Sequence, residues 1–401
     1  MSKFSPSAMT PLVAAITALG ALTMSMYTPS MPAIADALGA EPGMVQATLS
    51  IYLIGFAVGQ LFYGPLSDRF GRRPVLMLGL VVFIAGTAAC GLAQSIESLI
   101  AARLVQALGA AAGATLGRAM VRDLYARDQA ARVLSVIGMS LSVAPAVGPV
   151  IGGYLQILFD WHAIFAALGA AGLALLLTIA FFMPETNRAP DPKALVPGRI
   201  VSSFAELVRN PAYIGYMAVG AVSLGGLFTF HAAAPFVLMG LAGLTPEQYG
   251  WSMSITVAAY LAGGVIANRL VGRLGLDRLI FASAFLLLSG SSLMLALSLV
   301  HIVTVASVLG PMALWTMGIG ISLPNSMAGA LSPFPRIAGS ASALMGFMQM
   351  GVGAVGSIAV ARLHDGTVTP PASALLCFAV VGYGLWWRLV WCRRKRPEAG
   401  E

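Results

Sequence analysis

Long, nearly uninterrupted apolar stretches separated by short polar links run the length of the chain, without the alternation of a half-buried strand. Twelve reach membrane-crossing length: 11–33, 45–63, 75–95, 99–120, 133–155, 162–183, 211–238, 249–267, 279–300, 302–327, 338–361 and 371–392. A bilayer core about 30 Å thick takes about 20 apolar residues per helix, so each run predicts a spanning α-helix. Strands of a membrane barrel are short and alternate in polarity, which excludes that architecture. The longest polar interruption, 184–210, begins Pro184-Glu185-Thr186-Asn187-Arg188 and carries Pro190, Pro192, Pro197 and Gly198. It reads as a linker with a short surface helix at Ser203 to Arg209, and it divides the runs six and six. The expected organisation is therefore an N-terminal six-helix bundle over 1–183, a linker over 184–210 and a C-terminal six-helix bundle over 211–401.

A weak internal echo supports two related halves. Gly264-x-x-x-Asn268-Arg269-x-x-Gly272-Arg273 repeats the shape of Gly64-Pro-Leu-Ser-Asp68-Arg69-Phe-Gly71-Arg72-Arg73-Pro74, with Asn268 standing for Asp68. Two pseudo-symmetric halves around a midplane cavity suit alternating access, in which one half rocks against the other.

Composition agrees: 58% of the 401 residues are hydrophobic and only 9% are charged, more apolar surface than a soluble domain of this length can cover. The formal charge of +8 would suit nucleic acid, but its placement argues otherwise. If the N-terminus lies inside, all but two of the 23 Lys and Arg residues fall on the inward side, from Lys3 to the run Arg393, Arg394, Lys395 and Arg396. Arg362 lies in an outward loop and Arg103 within a helix. This positive-inside bias predicts a multi-pass protein with both termini cytoplasmic. Cys90, Cys377 and Cys392 have no metal-ligand spacing and read as packing residues. The first run resembles a signal peptide in having Lys3 before it and Ala33-x-Ala35 after it, but it is long, holds Pro29 and Pro32, and is followed by eleven more spans.

Three polar or small-residue features stand out against this background. In the 64–74 loop, Gly64 and Gly71 allow a tight turn, while Asp68, Arg69, Arg72 and Arg73 supply charge for a clamp made in one conformation and broken in another. The plainer reading is that these charges only set topology and cap helices. In the fifth span Gly138, Ser142, Pro145, Pro149 and Gly152 trace one helix face, joined by Gly148 and Gly153. Gly339, Gly346, Gly353 and Gly356 do so in the eleventh. Such faces permit close helix approach, and here they are expected to form a sliding interface between the halves. Arg103, inside the fourth span with Gln106 and Gly109 beyond it, needs water, a partner or a cavity unless it snorkels to the outer surface. Gln106 is near enough on the helix to share its polar setting, which favours the cavity.

Together these residues resemble the major facilitator superfamily. The Gly64 to Pro74 loop matches its helix 2–3 signature, and Arg103-x-x-Gln106-x-x-Gly109 its fourth-helix signature. Ala144-Pro145-Ala146-Val147-Gly148-Pro149-Val150-Ile151-Gly152-Gly153 resembles the fifth-helix pattern of antiporters. Arg122-Asp123-Leu124-Tyr125, Pro184-Glu185-Thr186 and the Pro235-Phe236 break in the seventh span narrow the resemblance to the Bcr/CflA type of drug:proton antiporter. The resemblance implies an all-α integral membrane fold of twelve helices and a bacterial inner-membrane exporter of small drug-like or metabolic compounds. It implies a proton gradient as driving force and no other cofactor or metal. The expected partners are a small-molecule substrate and the lipid bilayer, with no nucleic acid, and the expected state is a monomer.

One position departs from that branch. An Asp usually precedes Tyr-Leu-Pro in the first span, whereas this chain reads Ser25-Met26-Tyr27-Thr28-Pro29. No Asp or Glu lies deep in any predicted span, so His231 is the remaining candidate to carry a proton, or else a neutral residue of the cavity wall. By resemblance, spans 1, 4, 7 and 10 line the cavity. The substrate or proton candidates are Ser25, Tyr27, Arg103, Gln106, His231, Trp315 and Asn325, with Tyr52, Gln60 and Gln349 from neighbouring spans. Without a buried carboxylate, a neutral or anionic substrate is easier to accommodate than a lipophilic cation. An uptake carrier of the same fold is the alternative, which the fifth-helix pattern disfavours. An embedded enzyme would need a catalytic cluster, but His162, His231, His301 and His364 are scattered and no nucleophile elbow is present.

Overall fold

A computed structural model describes residues 6–392 except 126, 188, 193 and 364. Lys3, Arg188, Lys193, His364 and the basic run 393–396 therefore lie outside the described residues, as do the side chains of Arg122, Arg127, Arg132, Ser142 and Arg199. The described chain is helical: α1 Pro6–Tyr27, α2 Met31–Leu38, α3 Pro42–Phe70, α4 Arg72–Gly91, α5 Ile96–Leu124, α6 Arg127–Leu158 and α7 Trp161–Phe182. There follow α8 Pro197–Val208, α9 Pro211–Pro235, α10 Pro246–Leu274, α11 Leu276–Leu299, α12 Val305–Leu331, α13 Ala338–Arg362 and α14 Thr369–Trp386. Among the described residues, 11 helical segments are long and apolar enough to cross a membrane. The fifth predicted run falls in α6, where the described apolar part is the shorter stretch Val143–Leu158. Backbone groups inside a bilayer must find partners within the chain, which is why apolar runs of this length fold as helices.

The chain forms two compact units, Met1–Pro197 with Leu244–Ser254, and Gly198–Gly243 with Ile255–Glu401. In the first unit α3 and α4 both pack along α5, while α1 packs on α6. Glycine makes these approaches close: a Cβ on Gly86 would meet the backbone of Gln106, and one on Gly109 the backbone of Phe83 and Gly79. In the second unit α9 packs on α13 and α12, and α11 packs on α12.

Three local features refine the expectations from sequence. Pro235 does not end its span: the helix continues beyond it as a π-helical turn over Phe236–Leu241. The surface helix of the linker begins earlier than expected, at Pro197, and turns Leu207 inward. The repeat also has a different register. α3 ends at Phe70 and turns on Gly71 (φ 97°), whereas α10 runs unbroken through Gly272 to Leu274 and turns on Gly275 (φ 78°). The residue three before the turn is Asp68 in one unit and Gly272 in the other, so Asn268 sits one helical turn too early to stand for Asp68.

Part of each small-residue face is engaged inside its own unit. A Cβ on Gly148 would collide with Ser25 and one on Gly152 with Met26, both on α1. On α13, the backbone of Gly353 lies against Gly225 of α9, and Gly356 lies against Thr229 of α9 and Phe378 of α14. Close packing consumes the space these residues provide.

Candidate functional site

The α3–α4 turn carries a charged network. Its geometry starts from Gly71, whose positive φ directs the chain from one helix straight into the next. Arg72, the first residue of α4, folds back on α3: Nη1 donates to Asp68 Oδ1 at 2.5 Å and to Ser67 Oγ at 2.6 Å. Its Nε donates to Asp123 Oδ2 at 2.9 Å, near the end of α5. The guanidinium is largely buried (9% exposed) whereas Asp68 is half-exposed, so the Asp123 contact is the better shielded of the two.

Glu185, just past α7, completes the cluster from the far side. Its carboxylate accepts the backbone N–H groups of Arg72 and Arg73 at 2.8 and 3.1 Å, capping the otherwise unpaired start of α4. A Cβ at position 71 would sit 2.6 Å from Glu185 Oε2, a second reason for glycine there. Asn187 donates to the Asp68 carbonyl at 3.0 Å, and the Asp191 N–H donates to the same oxygen at 3.0 Å. The linker is thus laced onto the turn. Arg73 reaches the Ala180 carbonyl at 2.6 Å and Arg69 stacks over Phe70, while Gly64 lies within α3 rather than in the turn, its carbonyl accepting from Ser67 Oγ at 2.8 Å. Asp68, Arg72, Asp123, Thr186, Asn187 and Asp191 line a cleft of about 410 Å³.

A second polar cluster lies in the apolar interior of the same unit. Arg103 is fully buried and so does not snorkel to a surface. Its guanidinium carbon lies 4.3 Å from the Tyr27 ring centroid and 4.4 Å from that of Tyr52, within cation–π range. Nη1 donates to Gln106 Oε1 at 2.6 Å, and Gln106 Nε2 donates to Thr87 Oγ1 at 2.9 Å. The Cys90 thiol also points at Gln106 Oε1, at 3.9 Å. Tyr27 shares a hydrogen bond with Thr48 at 2.7 Å, and Tyr52 donates to the Gly20 carbonyl at 3.2 Å. Tyr27, Tyr52, Arg103 and Gln106 are therefore brought together, and Thr87 and Cys90 join them from α4.

The other candidates stand apart from this cluster. Ser25 faces α6, donating to the carbonyls of Ala21 and Ala144 at 2.9 and 3.2 Å beneath Gly148. Gln60 is buried further along α3. In α6, Pro145 is half-buried, while Pro149 and Gly153 lie against the 246–250 segment, where Gly250 and Pro246 allow backbone contact. In the second unit Trp315 is buried against Gly226, and Asn325 donates to its own helix at Ile321. Gln349 and Ser326 converge on Gly220. His231 is partly exposed on α9 beside Phe230.

In the sequence Asp123 and Glu185 stand only as family fingerprints, and the structure gives both a partner. Their signal was a carboxylate at a helix end in a chain nearly devoid of charge. Ser67 and Asn187 gave no such signal.

The Major Facilitator Superfamily profile matches residues 13–357. The chain is 33% identical over 371 residues to a bicyclomycin resistance protein homolog of Haemophilus influenzae, covering 88% of this chain and 90% of that protein. It is 33% identical to a chloramphenicol resistance protein of Pseudomonas aeruginosa (96% and 91% covered) and 31% identical to multidrug resistance protein D of Escherichia coli (86% of each). Among solved structures, the fold is similar to the partially occluded inward-open xylose transporter XylE of E. coli (TM-score 0.74, 13% identity, 95% and 97% covered). It is also similar to a bacterial homolog of the human lysosomal transporter Spinster (TM-score 0.72, 15% identity, 100% of each covered). A membrane-length helical chain with the charged α3–α4 turn and these relatives belongs to the Major Facilitator Superfamily, on the branch of the bicyclomycin and chloramphenicol resistance proteins.

Proposed function

We propose that this protein exports small drug-like compounds across the bacterial inner membrane by alternating access, drawing on the proton gradient, with both termini in the cytoplasm. The observation that carries this reading is the Arg72 network, in which one guanidinium ties α3, α4 and α5 together through two carboxylates. Such a clamp stabilises one arrangement of helices and must be released for the other, as a switching transporter requires. Kinship with three resistance proteins favours export, as does the Pro145 to Gly153 pattern of α6. The basic residues near the α3–α4 turn support an inward orientation of that end by the positive-inside rule. The α1 position that carries an acid in the resembled branch is Ser25 here, packed under Gly148 with its hydroxyl donating to the Ala144 carbonyl. The substrates are accordingly neutral or anionic, since no buried acid in the Arg103 cluster awaits a cation.

The test is expression in a bacterial strain stripped of its own efflux pumps, challenged with chloramphenicol and bicyclomycin. Higher resistance, with lower drug accumulation that a protonophore abolishes, is expected. Greater accumulation in expressing cells would reverse the direction and favour uptake. Resistance that survives the protonophore would remove proton coupling.

A further inference from the structure

Arg103 is a buried charge whose hydrogen-bonding capacity is mostly unused. Of its three nitrogens, Nη1 meets Gln106, whereas the buried Nε and Nη2 have no hydrogen-bond partner. No carboxylate pairs with it among the described residues, and its remaining close neighbours are the rings of Tyr27 and Tyr52. A desolvated guanidinium whose Nε and Nη2 N–H groups go unanswered is costly, and cation–π contact offsets only part of that cost. The position of the two groups is informative. Nε–H and the adjacent Nη2–H lie side by side on one edge of the planar guanidinium, the fork that accepts the two oxygens of a carboxylate.

We infer that Arg103 is the receptor for the carboxylate of an organic anion, seated against Tyr27 and Tyr52, so that aromatic carboxylates are among the compounds the protein carries. This rests on the export reading above and narrows it to a substrate class. Tyrosine rings on α1 and α3 supply flat apolar walls for a planar ligand, and Gln106, held by Thr87, keeps the guanidinium in orientation. Arg103 is wholly covered in this conformation, so the ligand reaches it only when α1 or α3 shifts away from α5.

The experiment uses the purified full-length protein in lipid nanodiscs, titrated with sodium benzoate, with benzamide as its neutral isostere and with sodium chloride. Benzoate is expected to bind at least about tenfold more tightly than benzamide or chloride. Arg103→Gln should erase that preference. Because loss of a buried cation can impair folding, Gln106→Glu is the companion variant: it supplies the counter-charge from within the chain and should also abolish the preference while the helices remain intact. Equal binding of benzoate and benzamide, a preference that persists in Arg103→Gln, or chloride binding as tightly as benzoate would each overturn the carboxylate assignment. Chloramphenicol resistance, measured in parallel, separates the two layers. Resistance without benzoate discrimination removes only this inference, whereas discrimination without any efflux removes the export reading and leaves the anion site standing.

Discussion

Both units turn between two long helices on a glycine of positive φ, Gly71 in one and Gly275 in the other, yet the surroundings differ in kind. At the first turn Arg72 binds two carboxylates and Glu185 caps the new helix. At the second, Leu276 takes the place of Arg72, and the Asp277 carboxylate accepts a hydrogen bond from the Tyr216 hydroxyl at 2.6 Å. The same contrast recurs deeper in the bundles. α5 and α12 each start from a capping box, Ser95 with Ser98 and Thr304 with Ser307. Counted from those caps, Arg103 matches Met312, Gln106 matches Trp315 and Gly109 matches Gly318. At these matched positions one framework therefore carries a charge in the first unit and none in the second. Backbone geometry is repeated because close helix packing demands it, and the charges at these positions are not part of that demand.

The largest expected effect breaks the first contrast. Arg72→Met should lower transport by about tenfold or more while the helical content stays near wild type, whereas Leu276→Met should stay within about twofold. Equal losses in vesicle efflux assays would mean that the charge is not what distinguishes the turns. Next comes packing. A Cβ at Gly109 meets the backbone of Phe83 and Gly79, which cannot yield, while at Gly318 it first meets the tip of Leu287. Gly109→Ala should cost about 1–3 kcal/mol and Gly318→Ala clearly less, read from thermal unfolding in detergent. Similar midpoints would show that the matched helices tolerate crowding alike.

Glu185→Ala removes the acceptor for two backbone N–H groups of α4 and should destabilise by about 1 kcal/mol. It should slow transport less than Arg72→Met does, and the reverse order would move the clamp's centre to the linker. The smallest effect concerns the second unit. His231→Gln should flatten the dependence of efflux on external pH while leaving the rate at its optimum nearly unchanged. An unaltered profile would locate proton handling elsewhere.

Much of this was legible in the sequence because hydropathy acts locally. A run of about 20 apolar residues can satisfy its backbone in lipid only as a helix, so the spans could be read off directly. The α3–α4 turn was equally plain, since Asp68, Gly71 and Arg72 interrupt an apolar background. The partners of Arg72 were not, because Asp123 is 51 positions away and Glu185 stands 113 from the N–H it caps. Which carboxylate arrives is decided by how α5 and α7 pack, and no periodicity encodes that. Ser25 shows the opposite failure. Its place in the family pattern marked it as a binding residue, but Gly148 brings α6 onto it and its hydroxyl is spent on carbonyls. The repeat misled by one helical turn because Gly264 and Gly272 imitate a turn that the chain makes only at Gly275.

The most direct test of the clamp is a double-mutant cycle on Arg72→Gln and Asp123→Asn, with initial rates of drug efflux measured in reconstituted vesicles. The two single variants and the pair should all be slowed to a similar degree, since each breaks the same contact, giving strong coupling between the sites. Additive losses, or single variants that transport as well as wild type, would contradict a switch built on this ion pair.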